Sequence, residues 1–179
     1  MRITTLYILA AVLTLFSFQE VKMSKSAQKK MGKAISGVWD VEWEAKDLAF
    51  KSTETVEKEF SGAEKVMILT EAGGSQLGYA VIAQAKGRYD LFDLLIIYDL
   101  DLNIKATQVL VYREDWGGEI ASARWMRQFI GKGNQDKIAL THDIQGISGA
   151  TISCQSATQE IRKMTSIVHK LKEEGALNI

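Results

Sequence analysis

Hydrophobic and polar residues follow two rhythms along this chain, one helical and one of strict alternation. Over residues 24–36, Met31, Ala34 and Ile35 share one side of a helix and Lys25, Lys29, Lys30 and Lys33 the other, with Gly37 as a stop. Trp39, Val41 and Trp43 then alternate with Asp40, Glu42 and Glu44, the period of a half-buried strand. Residues 51–60 are polar and read as helix or loop. Two apolar runs, 65–70 and 79–84, flank Gly73-Gly74 and predict a hairpin. A second pair is expected over 91–99 and 106–112, with Asp99, Asp101 and Asn103 marking its turn. From 152 to 171, Ile152, Ala157, Ile161, Met164, Val168 and Leu171 recur at helical spacing and predict a long amphipathic helix closing the domain.

Strands crowd the middle of the chain without the regular interleaving of helices that a parallel sheet requires. The expected class is therefore α+β, a mainly antiparallel sheet flanked by helices, with a long C-terminal helix. A dinucleotide-binding fold is disfavoured, because no Gly-x-Gly-x-x-Gly follows a strand, and no P-loop occurs.

Composition narrows the function classes. Lys plus Arg equals Asp plus Glu, at 22 each, so no global field recruits nucleic acid. The single cysteine, Cys154, has no internal disulfide partner, and its position reads either as a small buried hydrophobe or as a thiol tuned by a helix start. His142 and His169 are too far apart for a paired helical metal motif. Met1-Arg2 followed by an uncharged apolar run over 3–18 has the form of a signal peptide or an N-terminal membrane anchor. The expected division is a leader over 1–18, a helix and strand region over 24–60, and the remainder of the same domain over 61–175. Localisation is expected outside the cytoplasm, periplasmic or membrane-associated on the outer side of the cytoplasmic membrane.

The segment Ser148-Gly149-Ala150-Thr151-Ile152-Ser153 carries the candidate chemistry. Small residues let a bulky group approach the backbone, and the serines and threonine offer hydroxyls. A helix starting at Thr151 or Ile152 would aim unpaired N–H groups and a positive dipole end at any phosphate held there. The competing reading is that Ser148 or Thr151 simply caps the helix.

Ser148-Gly149-Ala150-Thr151 followed by Ile152-Ser153 resembles the flavinylation motif of the FMN-binding domain family. That family includes the covalent-FMN subunits of sodium-pumping NADH:quinone reductases and of Rnf-type electron-transport complexes. The resemblance implies that a flavin transferase moves FMN from FAD onto Thr151, leaving a phosphoester. It assigns Ser148, Gly149, Ala150 and Ser153 to the phosphate, and makes 61–175 the FMN-binding domain. Family members usually have an aspartate three residues before the serine; this chain has Gln145, with its nearest acid at Asp143. A second stretch, Tyr112-Arg113-Glu114-Asp115-Trp116-Gly117-Gly118-Glu119-Ile120, resembles the family's glutamate-containing, glycine-rich loop beside the flavin. Asp115-Trp116 stands where the quinone-reductase subunits tend to carry Thr-Pro. Over roughly 60 to 172, the resemblance implies flavin contacts from Glu114, Trp116 and Gly117.

Among the aromatics, Tyr112, Trp116 and Trp125 are candidates to flank a flavin ring, while Trp125 and Phe129, four apart, also suit a core stripe. Glu114 is either a solvated loop acid or a structural or flavin-facing one. Three functions follow. The first is an exported electron carrier with FMN on Thr151, served by a flavin transferase and by redox partner proteins, such as a membrane electron-transport complex. The second is a flavin-free or non-covalent FMN-binding assembly module of such a complex. The third, an enzyme reducing a small substrate at bound FMN, ranks below the carrier, since no general-acid pair stands beside the motif.

Overall fold

A computed structural model describes residues 23–47 and 64–177; the leader over 1–18 and the polar stretch 51–60 lie outside the described residues. In chain order it contains helix α1 (Lys25–Ser36) and strands β1 (Trp43–Asp47), β2 (Lys65–Glu71), β3 (Gln76–Lys86), β4 (Leu91–Tyr98) and β5 (Ile104–Val111). A short helix α2 (Ala123–Met126) then sits between 3-10 turns at Gly118–Ala121 and Arg127–Phe129, and the 23-residue helix α3 (Thr151–Glu173) follows. The five strands form one sheet in the order β1-β2-β3-β4-β5, every neighbouring pair antiparallel. The expected α+β class is the observed one.

Side chains alternate across each strand, so the sheet has two apolar faces. Val81, Ala83, Phe92, Leu94, Ile96 and Tyr98 pack on one face with Ala157, Ile161, Met164 and Val168 of α3. Met67, Leu69, Ala80, Ile82, Leu95, Ile97 and Leu110 face the other way, toward Ala27 and Ile35 of α1. Central strands β3 and β4 are thus buried on both faces, which is why their sequences read as nearly unbroken apolar runs. Among the described residues, no helix is long and apolar enough to cross a membrane.

Local chemistry sets the turns. Gly74, at φ +90°, closes the β2–β3 hairpin, its N–H donating to Glu71 O at 2.8 Å. Asp99 Oδ1 accepts from Asp101 N and Asn103 N at 3.0 and 2.9 Å, fixing the β4–β5 turn as the sequence suggests. α1 begins with Ser24, whose hydroxyl accepts from Ala27 N at 3.2 Å.

Two expectations need correction. Trp39 and Val41 precede the strand, because the chain is still leaving α1 there, with Val38 N and Trp39 N both bonded to Ile35 O. β1 starts only at Trp43 and is an edge strand, exposed after that residue. Ile152 is also not part of the core stripe: the five-residue step to Ala157 turns it about 140° away at 100° per residue, and it is exposed.

Antiparallel pairing has a consequence for position. The β3–β4 turn, the chain leaving β5, and the start of α3 meet at one end of the sheet.

Candidate functional site

The start of α3 is not capped. Its N-cap residue is Ala150, which has no side-chain acceptor, and the first backbone bond of the helix runs from Cys154 N to Ala150 O at 2.9 Å. Among the described residues nothing accepts from the N–H groups of Thr151, Ile152 and Ser153. The capping reading of Ser148 and Thr151 therefore fails. Gly149, at φ +84°, turns the chain into the helix, and nothing lies within 4 Å of where its Cβ would be. Thr151 is exposed, with its hydroxyl unengaged by any described residue.

These groups open into a cleft of about 380 Å³ lined by Arg88, Tyr89, Glu114, Trp116, Gly117, Gly149, Ala150, Thr151, Ile152 and Ser153. Ligand sites usually have volumes of about 300–1,000 Å³. Trp116 is 80 % exposed, Tyr89 73 % and Ile152 53 %, so large apolar surface is left uncovered around the opening. Seven of the eight residues singled out from the sequence line it. Ser148, exposed and one residue upstream, does not.

The wall between the glycine-rich loop and α3 is closely fitted. Gly117 has φ +79°, and a Cβ there would sit 2.9 Å from Tyr112 Oη and 3.5 Å from Ala150 Cβ. Tyr112 Oη donates to Trp116 O at 2.8 Å and lies 3.1 Å from Ser153 Oγ. Since the tyrosine has one proton to give, the Ser153 hydroxyl donates to Tyr112. Ser153, buried and so engaged, ties the loop to the helix, and the group it leaves toward the cleft is its backbone N–H. Burial raises the Tyr112 pKa, the Ser153 hydrogen bond opposes that, and the charges of Glu114 and Glu119 add to the rise. The Tyr112 ring packs on Phe92, with centroids 5.4 Å apart.

Glu114 has a structural partner. Its Oε1 accepts from Tyr89 N at 2.6 Å and Asp90 N at 2.9 Å, and these bonds, the Asp90 one foremost, hold its pKa below the usual carboxylate range. Trp125 and Phe129 belong to the core, their rings edge-on at 5.3 Å. Cys154 is fully buried, and desolvation raises its thiol pKa, partly opposed by a hydrogen bond with the Ile147 backbone. The small-hydrophobe reading of Cys154 holds.

The loop leading into α3 is held independently of the cleft. Trp125 Nε1 donates to Gln145 O at 2.7 Å, and Gln145 N donates to Gln128 Oε1 at 2.8 Å. Asp143 bonds Lys132 Nζ at 2.8 Å and Ala139 N at 2.7 Å. Desolvation pushes the Asp143 pKa up, but those partners outweigh it and bring it to about 2. Neither Gln145 nor Asp143 lines the cleft. Among the described residues no cluster of His, Cys, Asp and Glu is placed to hold a metal ion.

Sequence spacing did not reveal Arg88 and Tyr89, and it placed Ile152 on the wrong side of its helix. The available signal was the β3–β4 hairpin itself, which carries residues 87–90 to the end of the sheet where β5 exits.

Three unpaired N–H groups at a helix start, an accessible threonine hydroxyl, one lining cation and exposed aromatic faces fit a flavin with a phosphate tail. Comparison with known families agrees: residues 90–166 match the family model described as the FMN-binding domain. No individually curated protein matches the chain.

Proposed function

With residues 90–166 an FMN-binding domain and FMN its cofactor, we propose that this chain is an exported electron-transfer flavoprotein whose FMN is joined through its phosphate to Thr151. The observation that carries this reading is the uncapped start of α3, where the Thr151 hydroxyl stands free beside three N–H groups at the mouth of the cleft. An isolated protein gains stability from a cap at such a position. Leaving it open suits a helix end whose partner is an anion.

Attachment requires a flavin transferase. The Thr151 Oγ1–phosphorus bond forms as the pyrophosphate bond of FAD breaks; AMP leaves, and the hydroxyl proton goes to a base of the transferase or to solvent. The N–H groups of Thr151, Ile152 and Ser153 would hold the phosphate oxygens. Trp116, Tyr89 and Ile152 would cover the ring, and the Tyr112–Ser153 bond would keep the glycine-rich loop on the helix. Bound flavin supplies electron transfer singly or in pairs, and the protein sets its position and potential. The leader-like residues 1–18 support export, and a phosphoester tether would keep the cofactor from being lost outside the cytoplasm. Redox partner proteins, among them a membrane electron-transport complex, would supply and receive the electrons.

The test is co-expression with a flavin transferase, denaturation, intact mass and peptide mapping. The expected result is the mass of FMN less water on the peptide containing Thr151, and none in Thr151→Val. FMN released on denaturation would make the chain a non-covalent binder, and no FMN at all would leave an assembly module.

A further inference from the structure

We propose that the β3–β4 turn is a third wall of the flavin site, and that Glu114 is its positioning residue, acting through Tyr89 and Arg88. This rests on FMN occupying the cleft. The turn is closed by Gly87 N donating to Asp90 O at 2.7 Å, and the N–H groups of Tyr89 and Asp90 converge on one oxygen of Glu114. The Glu114 carboxylate also fills the space a side chain at position 87 would need, so the glycine there is a fitted partner of the acid. Next to it, Arg113 binds both oxygens of Asp93, at 3.1 and 2.7 Å, and Leu91 O at 2.8 Å. From the other side, Ser156 Oγ of α3 accepts from Lys86 N at 2.7 Å. The turn is thus gripped by the glycine-rich loop and by the attachment helix together.

What the grip presents is unusual for a hairpin turn. Tyr89 is exposed, with the Arg88 guanidinium 5.2 Å from its ring centroid, and both line the cleft that Thr151 and Trp116 line. A tyrosine so exposed contributes little to the core. A flat aromatic face and a cation suit the ring and negative charge of a flavin. Residues 87–89 also precede the family-matched segment, so this wall is added by the part of the sheet outside it. Oε1 is committed to the N–H groups of Tyr89 and Asp90, so that oxygen acts on the ring through the turn that carries the Arg88 and Tyr89 side chains.

The test compares Glu114→Ala, Glu114→Gln and Tyr89→Leu in the full chain, by amide hydrogen exchange over the turn in flavin-free protein and by fluorescence of bound FMN. Stacked aromatic rings quench flavin emission. Glu114→Ala is expected to speed exchange at Tyr89 and Asp90 by about tenfold, the scale of one lost hydrogen bond, and to relieve the quenching. Glu114→Gln keeps the acceptor oxygen and should restore both signals. Tyr89→Leu should relieve the quenching while leaving exchange at Asp90 unchanged. If Glu114→Gln alters the flavin signal as much as Glu114→Ala while the turn stays protected, the carboxylate acts on the flavin directly and the positioning role is overturned. Bound FMN indifferent to Tyr89→Leu overturns the wall alone; a wild-type chain that takes up no FMN overturns the reading of the cleft itself.

Discussion

The two helix starts in this protein are built in opposite ways. α1 begins with Ser24, whose hydroxyl accepts the Ala27 N–H, and it lies against an apolar sheet face. α3 begins with Ala150, offers no side-chain acceptor, and opens three N–H groups into a cleft. Both sequences contain serine near the start, yet only one uses it as a cap. The difference separates a helix end completed by its own chain from one whose first N–H groups stay open to the cleft.

Converting the second kind into the first is the most severe way to break this contrast. Thr151→Asp places an anion at the open helix start, which should stabilise the flavin-free protein by about 0.5 kcal/mol through the helix dipole. It should also eliminate covalent FMN and weaken FMN binding by at least about a hundredfold, since like charges meeting in a site cost several kcal/mol. Thermal melts and fluorescence titration measure the two opposed effects. A variant that still titrates with wild-type affinity would show that the phosphate sits elsewhere.

Gly117→Ala attacks the wall beside that start. Its positive φ disfavours any side chain, and the added methyl displaces the Tyr112 hydroxyl from Trp116 O and Ser153, so a loss of about 1–2 kcal/mol is expected. Urea unfolding reports the stability, and FMN binding should fall in parallel.

Ser24→Ala removes the conventional cap and should cost about 1 kcal/mol without changing flavin loading, because α1 lies on the opposite face of the sheet from α3. A drop in loading there would mean that the two faces are coupled.

A pH-dependent effect belongs to the loop entering α3. The folded pKa of Asp143, about 2, lies below its unfolded value of about 3.9. Its contribution is therefore full above about pH 4 and is lost as pH falls from there through about 2. Urea midpoints of wild type and Asp143→Asn should differ at pH 6 and converge toward pH 2. A difference that persists at pH 2 would remove the ion pair as its cause.

Most of the architecture is legible in the sequence. Apolar runs located β2 to β5, helical spacing located α1 and α3, and Gly73-Gly74 and Asp99 located turns, because burial on both faces makes a strand continuously apolar and burial of one face gives a helix its period. The strand start at Trp43 was not legible, since the alternation of Trp39 and Val41 is overridden by hydrogen bonds closing the end of α1.

At the site, the Ser148–Thr151 segment singled out Thr151 as the proposed attachment residue and the family resemblance pointed to FMN, because that chemistry is written in consecutive residues. The sequence by itself left Ser148 and Thr151 undecided between cap and phosphate site, Glu114 between solvated and structural, and Cys154 between reactive and buried. The tertiary structure removed the capping reading, gave Glu114 its partners at Tyr89 and Asp90, and buried Cys154; it also tied Ser153 to Tyr112 and set Gly117 against Ala150, partners far along the chain. Periodicity reports which side of an element is buried, whereas long-range hydrogen bonds and close approaches leave no periodic trace, and it is these that shape the cleft.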